Sequence, residues 1–304
     1  MARTITVATC AGWLKMGEMT PLLILGATGQ IGTYLLARTV ERHVVALARD
    51  PDRLPPRHNL SAHVFAAAED LPSAAAQAVA TIPVWLVPGY LDRLADSGVR
   101  RLVCFSTTSV LGKADSQSRR ERAVVARVAG AEAQLKARAD DLDIALTVLR
   151  PTMIYGTGRD QTIAAAARFI QRFGWYPVHG AAMGARQPVH AADLTAAALA
   201  AMDVPGTHGR VYALGGGETL AYREMISRIF AALGRPARTL CVPFLPQFLG
   251  IAGAVVPGSE LSADVARRMN LDLAFDDGSA AADFGYAPRG FLAGGREDLF
   301  GPGG

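Results

Sequence analysis

The segment Gly26-Ala27-Thr28-Gly29-Gln30-Ile31-Gly32 is the stretch of this chain best suited to hold phosphate. The apolar run Pro21 to Leu25 precedes it, and apolar residues at helical spacing follow from Ile31 to Val40. The glycines therefore fall in a strand-to-helix turn, the context in which such a pattern carries meaning. Gly26 can take backbone angles that side chains disfavour. Gly29 lets the backbone approach a pyrophosphate, and Gly32 lets the helix pack close to the strand. The helix start presents N–H groups and a partial positive charge to phosphate oxygens. Gly26, Thr28, Gly29, Gln30, Ile31 and Gly32 are accordingly candidate contacts of a nicotinamide dinucleotide.

The choice between dinucleotides is read where the second strand ends, at Leu47-Ala48-Arg49-Asp50-Pro51. An acidic residue there binds the ribose hydroxyls, whereas an arginine favours the 2′-phosphate. Arg49, with Arg53 as a second contact, points to NADP(H) over NAD(H). Asp50 reaches the ribose instead if the strand ends one residue later. Asp70, beyond the third strand, is a candidate near the adenine; a helix-capping or solvated acid is its alternative reading.

The elements that must position these groups follow an alternating pattern. Strands are expected at His43 to Ala48, Ala62 to Ala67, Ile82 to Val87, Arg101 to Phe105 and Ile144 to Leu149. Helices are expected at Tyr90 to Ser97 and Arg119 to Ala139. Strands alternating with helices give an α/β fold with a doubly wound parallel sheet, the Rossmann architecture. After Pro151 the pattern changes. Helices are expected at Thr162 to Phe173, at Asp193 to Met202, and from an N-cap at Thr219 to about Leu233. Tyr212 to Leu214 reads as a short strand, and Pro236 to Pro257 as apolar and irregular. The expected organisation is an extension over 1–20, a dinucleotide-binding Rossmann domain over 21–155, and mainly a smaller interleaved substrate domain over 156–304. Residues 180–205 are expected to return to the sheet. Met19 opens directly onto the first strand, which favours a later start codon.

Composition narrows the function classes. The chain has 304 residues, half of them apolar, enough for one or two well-buried domains. The net charge is +4, yet lysine occurs only as Lys15, Lys113 and Lys136, and no dense basic run is present. This argues against a nucleic-acid surface. Cys10, Cys104 and Cys241 have no metal-binding spacing, which fits reduced thiols in the cytoplasm and no metal site. Residues 240–256 are apolar but interrupted by prolines and too short to span a membrane. A subdomain core or partner surface is favoured there over interfacial membrane contact.

Four segments together resemble one family. They are the glycine turn, Ser106-Thr107-Thr108-Ser109, Leu149-Arg150-Pro151-Thr152-Met153-Ile154-Tyr155-Gly156, and Arg186-Gln187-Pro188-Val189-His190-Ala191-Ala192-Asp193-Leu194. The chain resembles the extended and atypical short-chain dehydrogenase/reductases, the nucleotide-sugar epimerase/dehydratase group, from about Pro21 to Tyr286. The resemblance implies that Ser106, Thr107 or Thr108 lies beside the nicotinamide, where a hydroxyl can donate to a substrate carbonyl or alkoxide. Ser106 and Pro151 then contact the cofactor. Thr107, Ser106 and Tyr155 become candidate catalytic groups. Thr108 and Arg186 become candidate substrate contacts, Arg186 meeting the diphosphate of a nucleotide-sugar. His190 is expected to pack structurally and Asp193 to cap the next helix. Many relatives pair through helices flanking the sheet, so an oligomer is a further implication.

The resemblance breaks at the proton relay. The family uses Tyr-x-x-x-Lys after the fifth strand, because an unperturbed tyrosine near pKa 10 is a poor base at neutral pH. No Tyr-x-x-x-Lys occurs anywhere in this chain. Alignment on Ala131-Glu132-Ala133 puts Val124 and Val128 at the two positions. The favoured reading is an NAD(P)-dependent epimerase/dehydratase- or reductase-like enzyme acting on a nucleotide-sugar or related carbonyl or hydroxyl substrate through other groups, such as Tyr155 or Lys113; the alternative is that the protein binds the dinucleotide without turnover. The second reading resembles dinucleotide-binding redox sensors and an accessory subunit of respiratory complex I.

Overall fold

A computed structural model describes residues 21–64, 75–112, 116, 118–255 and 263–301. The first half alternates as the sequence requires: β1 (Leu22–Leu25), α1 (Gln30–Arg38), β2 (Val44–Ala48), β3 (Leu60–Val64), β4 (Gln77–Ala80), α2 (Leu91–Asp96) and β5 (Arg101–Phe105). A short α3 (Ser109–Gly112) and the long α4 (Arg119–Asp141) lead to β6 (Ala145–Pro151) and β7 (Ile154–Tyr155). The second half contains α5 (Ile163–Phe173), β8 (Tyr176–Val178), β9 (Ala185–Arg186), β10 (Val189–His190), α6 (Ala191–Asp203) and β11 (Val211–Leu214). It ends with β12 (Leu220–Ala221), α7 (Tyr222–Ala232), β13 (Thr239–Cys241), α8 (Leu245–Val255), α9 (Ala263–Arg268), α10 (Gly278–Phe284) and α11 (Arg296–Phe300).

Seven strands form one sheet in the order β3-β2-β1-β4-β5-β6-β11, and every neighbouring pair is parallel. The apolar runs have no polar alternation because both sheet faces are covered. Leu23, Leu25, Leu47, Leu102 and Cys104 face Leu91 and Leu94 of α2 and Val128 and Leu135 of α4. Leu22, Ile24, Val44, Ala46 and Val103 face Ile31 and Leu35 of α1 and Leu194 and Ala198 of α6. A separate core joins α5 to α7 through Ile163, Ala167, Ile170, Ile226 and Phe230.

The order of strands reverses between β1 and β4, so the crevice beyond their carboxyl ends is the ligand position of an open α/β sheet. Gly26 leaves β1 there and Thr81 leaves β4.

Several boundaries differ from the sequence expectation. The fourth strand is Gln77–Ala80, and Val84–Tyr90 is a run of 3-10 turns. Pro83 and Pro88 lack the N–H that a central strand must donate, which explains the shift. The third strand ends at Val64, and the remainder of its expected span lies outside the described residues, as do the 1–20 extension, Asp70 and Lys113. The segment that returns to the sheet as a strand is Val211–Leu214; 180–205 returns only through α6, packed on the sheet. Helix α7 begins after Ala221 with no side-chain cap, because Leu220–Ala221 is drawn into a strand against β9; Thr219 does not cap it. Part of 236–257 is helical, as α8. Among the described residues no helix is long and apolar enough to cross a membrane.

Candidate functional site

The glycine turn is packed so tightly that two of its glycines are sterically required. Gly26 has φ +93°, and a Cβ there would lie 2.7 Å from the Thr81 hydroxyl oxygen. A Cβ on Gly32 would lie 2.3 Å from the Gly26 carbonyl oxygen and 2.7 Å from Ala27 backbone atoms. Helix α1 can therefore start directly against the end of β1. Thr81 braces the turn from β4, its hydroxyl lying 3.0 Å from the Leu25 carbonyl and 2.9 Å from that of Gly26. Gly29 occupies the N-cap of α1 in an extended conformation without a side-chain cap, and no acidic residue occupies the first turn. The first N–H groups of α1 are thus left for an anion, as a dinucleotide pyrophosphate site requires. Ile31 is buried in the core, so what it can offer a ligand is its backbone. Thr28 and Gln30 are half-buried at the rim.

Arg49 and Asp50 stand exposed immediately after β2, and Arg53 is exposed in the 3-10 turn Pro51–Arg53. Arg49 thus follows directly on the carboxyl end of β2, with Asp50 between it and the turn that carries Arg53.

The hydroxyls after β5 are largely engaged with protein. The Ser106 hydroxyl donates to the Glu132 carboxylate, which also binds Arg150. The Thr108 hydroxyl donates to the Pro151 carbonyl at 3.1 Å, tying the exit of β5 to the exit of β6. Thr107 donates to the Ser109 hydroxyl and accepts from the Ser109 N–H, both at 3.1 Å, while remaining half-buried. Pro151 is buried at the end of β6 beside this cluster.

The two positions aligned with the missing proton relay diverge in environment. Val124 is 45 % exposed on α4, whereas Val128 is 0 % exposed and packs against the sheet. Neither offers a proton. Glu132, one turn beyond Val128, ties α4 to the ends of β5 and β6 instead.

Tyr155 and Arg186 are placed for packing, contrary to the roles the resemblance implied. Tyr155 is 0 % exposed, its ring edge-on to His190 and Phe291 at centroid distances of 5.1 Å. Its hydroxyl oxygen accepts from the Leu292 N–H at 3.1 Å, and burial pushes its pKa up, away from a base at neutral pH. Arg186 is 3 % exposed and donates to the carbonyls of Ala185 and Leu271 at 2.7 Å and to that of Arg268. Its guanidinium also lies over the Tyr222 ring, and burial lowers its pKa to about 10. These contacts occupy the group expected to meet a substrate diphosphate.

His190 packs as expected, 3 % exposed, and it rather than Asp193 caps α6: its Nδ1 accepts from the Ala192 N–H at 3.1 Å. The Asp193 carboxylate binds Arg289 instead. The His190 ring also explains a motif glycine. Gly156 has φ +113°, and a Cβ there would lie 2.4 Å from His190 Nε2.

Sequence reasoning missed the groups that reach the turn from later in the chain, Thr81 and Arg159. Arg159 donates to the Thr28 carbonyl at 3.1 Å and to the Thr33 hydroxyl at 3.0 Å. The signal available was its position just past Tyr155-Gly156, but nothing in the local pattern ties it to Thr28, 131 positions earlier. A cavity of about 880 Å³ lies between the second half of α4 and β6, lined in part by Lys136, Asp140 and Arg210. Glu132 and Arg150, which bond each other beside Ser106, also line it.

The pattern of the NAD dependent epimerase/dehydratase family matches residues 63–215, half of the chain. The chain is 26% identical to a UDP-glucose 4-epimerase of Vibrio cholerae over 157 residues, covering 49% of this chain and 48% of that protein. It is 28% identical over 130 residues to the mitochondrial NADH dehydrogenase [ubiquinone] 1 alpha subcomplex subunit 9 of Arabidopsis thaliana, covering 42% and 31% respectively. These matches span about half the length of the curated relatives or less. Among solved structures, MoeE5 in complex with UDP-glucuronic acid and NAD superposes with a TM-score of 0.68 at 20% identity, over 92% of this chain and 97% of that one. The fold, the family segments and the extent of the match agree: this chain belongs to the NAD dependent epimerase/dehydratase family.

Proposed function

We propose that this protein holds a nicotinamide dinucleotide across the Gly26–Gly32 turn and works through that binding, without the tyrosine-based proton relay of its family. The observation that carries this reading is the contrast between the two halves of the crevice. The phosphate cradle is intact to the point that Gly32 tolerates no Cβ, while Val128 lies in the core where the relay's lysine would stand. When bound, the dinucleotide supplies hydride chemistry. The chain's own residues bind and orient it. The likeness to NAD-bound MoeE5 supports the cofactor class, and the likeness to a subunit of a mitochondrial NADH dehydrogenase fits a binding role within an assembly. NADP(H) is favoured over NAD(H) by Arg49 and Arg53, with Asp50 as the competing ribose ligand.

The test is a fluorescence titration of the purified protein with NADPH and NADH, followed by incubation with a panel of UDP-sugars and isotopic detection of hydride exchange. Binding without exchange or epimerisation is the expected outcome. Turnover of any sugar nucleotide overturns the proposal.

A second reading, action on a nucleotide-sugar or related carbonyl substrate, is favoured by one observation: Thr107 remains half-buried at the carboxyl end of β5. With Ser106 held by Glu132 and Tyr155 in the core, Thr107 would turn its hydroxyl from Ser109 to hydrogen-bond a carbonyl. In that reading Thr107→Val abolishes turnover and leaves dinucleotide affinity unchanged.

A further inference from the structure

The segment 156–160 crosses from the second half of the chain onto the glycine turn and is fixed at nearly every residue. Tyr34 of α1 donates its hydroxyl to the Gly156 carbonyl at 2.6 Å. The Thr157 hydroxyl donates to Gln30 Oε1 at 3.0 Å. Arg168 of α5 donates to the Gly158 carbonyl at 2.7 Å and to that of Asp160 at 3.4 Å. Asp160, buried, accepts from the N–H groups of Thr162 and Ala164 at 3.1 and 3.0 Å. Positive φ angles at Gly156 and Gly158 give the segment its path.

The result is that Arg159 is presented, exposed, at the rim of the phosphate cradle. Its guanidinium bonds the Thr28 carbonyl and the Thr33 hydroxyl, and Thr33 in turn donates to the Gly29 carbonyl at 2.9 Å. Among the described residues no carboxylate pairs with Arg159. A cation without a counter-charge, beside a helix start without an acidic residue, suits a dianionic diphosphate.

We propose that Arg159 is a ligand of the dinucleotide's diphosphate, so that the second half of the chain completes a phosphate site begun by the glycine turn. This rests on the dinucleotide reading above. It also means that cofactor binding and the placement of the 156–160 segment are coupled, because Arg159 contacts the cofactor and the Thr28 backbone together.

The experiment uses the full chain and three probes. NADPH and ADP-ribose carry the diphosphate, and adenosine 2′-monophosphate lacks it. Arg159→Ala is expected to weaken NADPH and ADP-ribose about tenfold and to lower the salt dependence of their binding. Adenosine 2′-monophosphate should be unaffected, and Arg159→Lys should retain most of the affinity. The melting temperature without ligand should stay near wild type, since the side chain is exposed. Unchanged ADP-ribose affinity in Arg159→Ala overturns the proposal while leaving the dinucleotide reading standing. Equal loss for all three probes also overturns it, because the turn itself has then collapsed. If the wild type binds neither NADPH nor ADP-ribose, both readings fall.

Discussion

Replacing Gly32 by alanine is the sharpest test of how the cradle is built. The added Cβ would sit 2.3 Å from the Gly26 carbonyl oxygen and 2.7 Å from two Ala27 backbone atoms. A relaxed carbon contact lies near 3.5 Å, so α1 must move from β1 by about 1 Å. The atoms it meets are backbone, which cannot rotate away. Overpacking of this kind costs about 1–3 kcal/mol. At about 2–4 °C per kcal/mol for domains of roughly 150–250 residues, the melting temperature should fall by roughly 2–12 °C. The same movement displaces the N–H groups at the start of α1, so NADPH affinity should fall at least about tenfold. Gly130→Ala is the matched control. Gly130 is exposed on α4, and a methyl group there would have nothing within 4 Å, so alanine should stabilise the helix by up to about 1 kcal/mol. Thermal unfolding and fluorescence titration of the two variants decide the matter. If Gly32→Ala melts with the wild type and keeps its NADPH affinity, the steric account of the cradle is wrong.

Arg49→Ala should reduce NADPH affinity about tenfold and leave NADH affinity unchanged; equal behaviour of the two cofactors would remove the argument for a 2′-phosphate contact. Tyr155→Phe leaves the Leu292 N–H without its 3.1 Å acceptor, so stability should fall by about 1–2 kcal/mol in denaturant titration, with dinucleotide binding intact. Arg101→Met should be among the most destabilising changes, by about 3–5 kcal/mol. Its guanidinium is buried and satisfies the carbonyls of Ala145 and Ala201 and the hydroxyls of Thr147 and Thr207 at 2.7–2.8 Å. His190 gives a pH dependence. Burial lowers its pKa below the ordinary 6.5, so below that pH the unfolded chain binds more protons than the folded one. Stability should therefore decline as pH falls through 6.5, until the folded-state value is passed. His63 and His208 are lowered too and add the same sign, so His190→Asn should flatten the profile in part. An unchanged slope in that variant would count against a neutral, buried His190.

The parts of this fold legible in the sequence are those fixed by local chemistry. Leu22 to Leu25 must be a central strand because it is continuously apolar and ends in glycine, and Arg119 to Asp141 must be a helix because it is rich in strong helix formers and lacks proline. What escaped depends on partners distant in the chain. Ile82 to Val87 has strand composition, but Thr81 already turns back onto Leu25 and Gly26, and prolines at 83 and 88 forbid a ladder. Leu220–Ala221 joins β9, far earlier in the chain, and that pairing takes the helix start away from Thr219. The same limit applies at the site. The glycine turn was readable because its spacing and the clash at Gly32 are internal to seven residues, whereas Arg159 and Thr81 reach it only through tertiary structure. Arg186 illustrates the converse. Its sequence context suggested a ligand contact, and burial against the carbonyls of Leu271 and Arg268 commits it to packing.

The residues that preserve the family pattern here share a structural employment independent of any substrate. Gly156 is needed because the His190 ring fills the space of its Cβ, and His190 is needed to cap α6. Tyr155 holds the Leu292 backbone, Asp193 holds Arg289, and Arg150 with Glu132 holds the ends of β5 and β6 together. Removing any of these would cost stability whether or not a reaction took place. The tyrosine and lysine of the relay are different: if Val124 and Val128 stand at their positions, as the alignment on Glu132 proposes, a surface position of α4 and a core position are filled by valine without loss to the fold. A chain under demand for its scaffold and its dinucleotide, but not for a phenolate base, would keep the first set and lose the second. That division is the pattern found, and it makes the retained motifs evidence for the scaffold, while the fate of the proton relay bears separately on turnover.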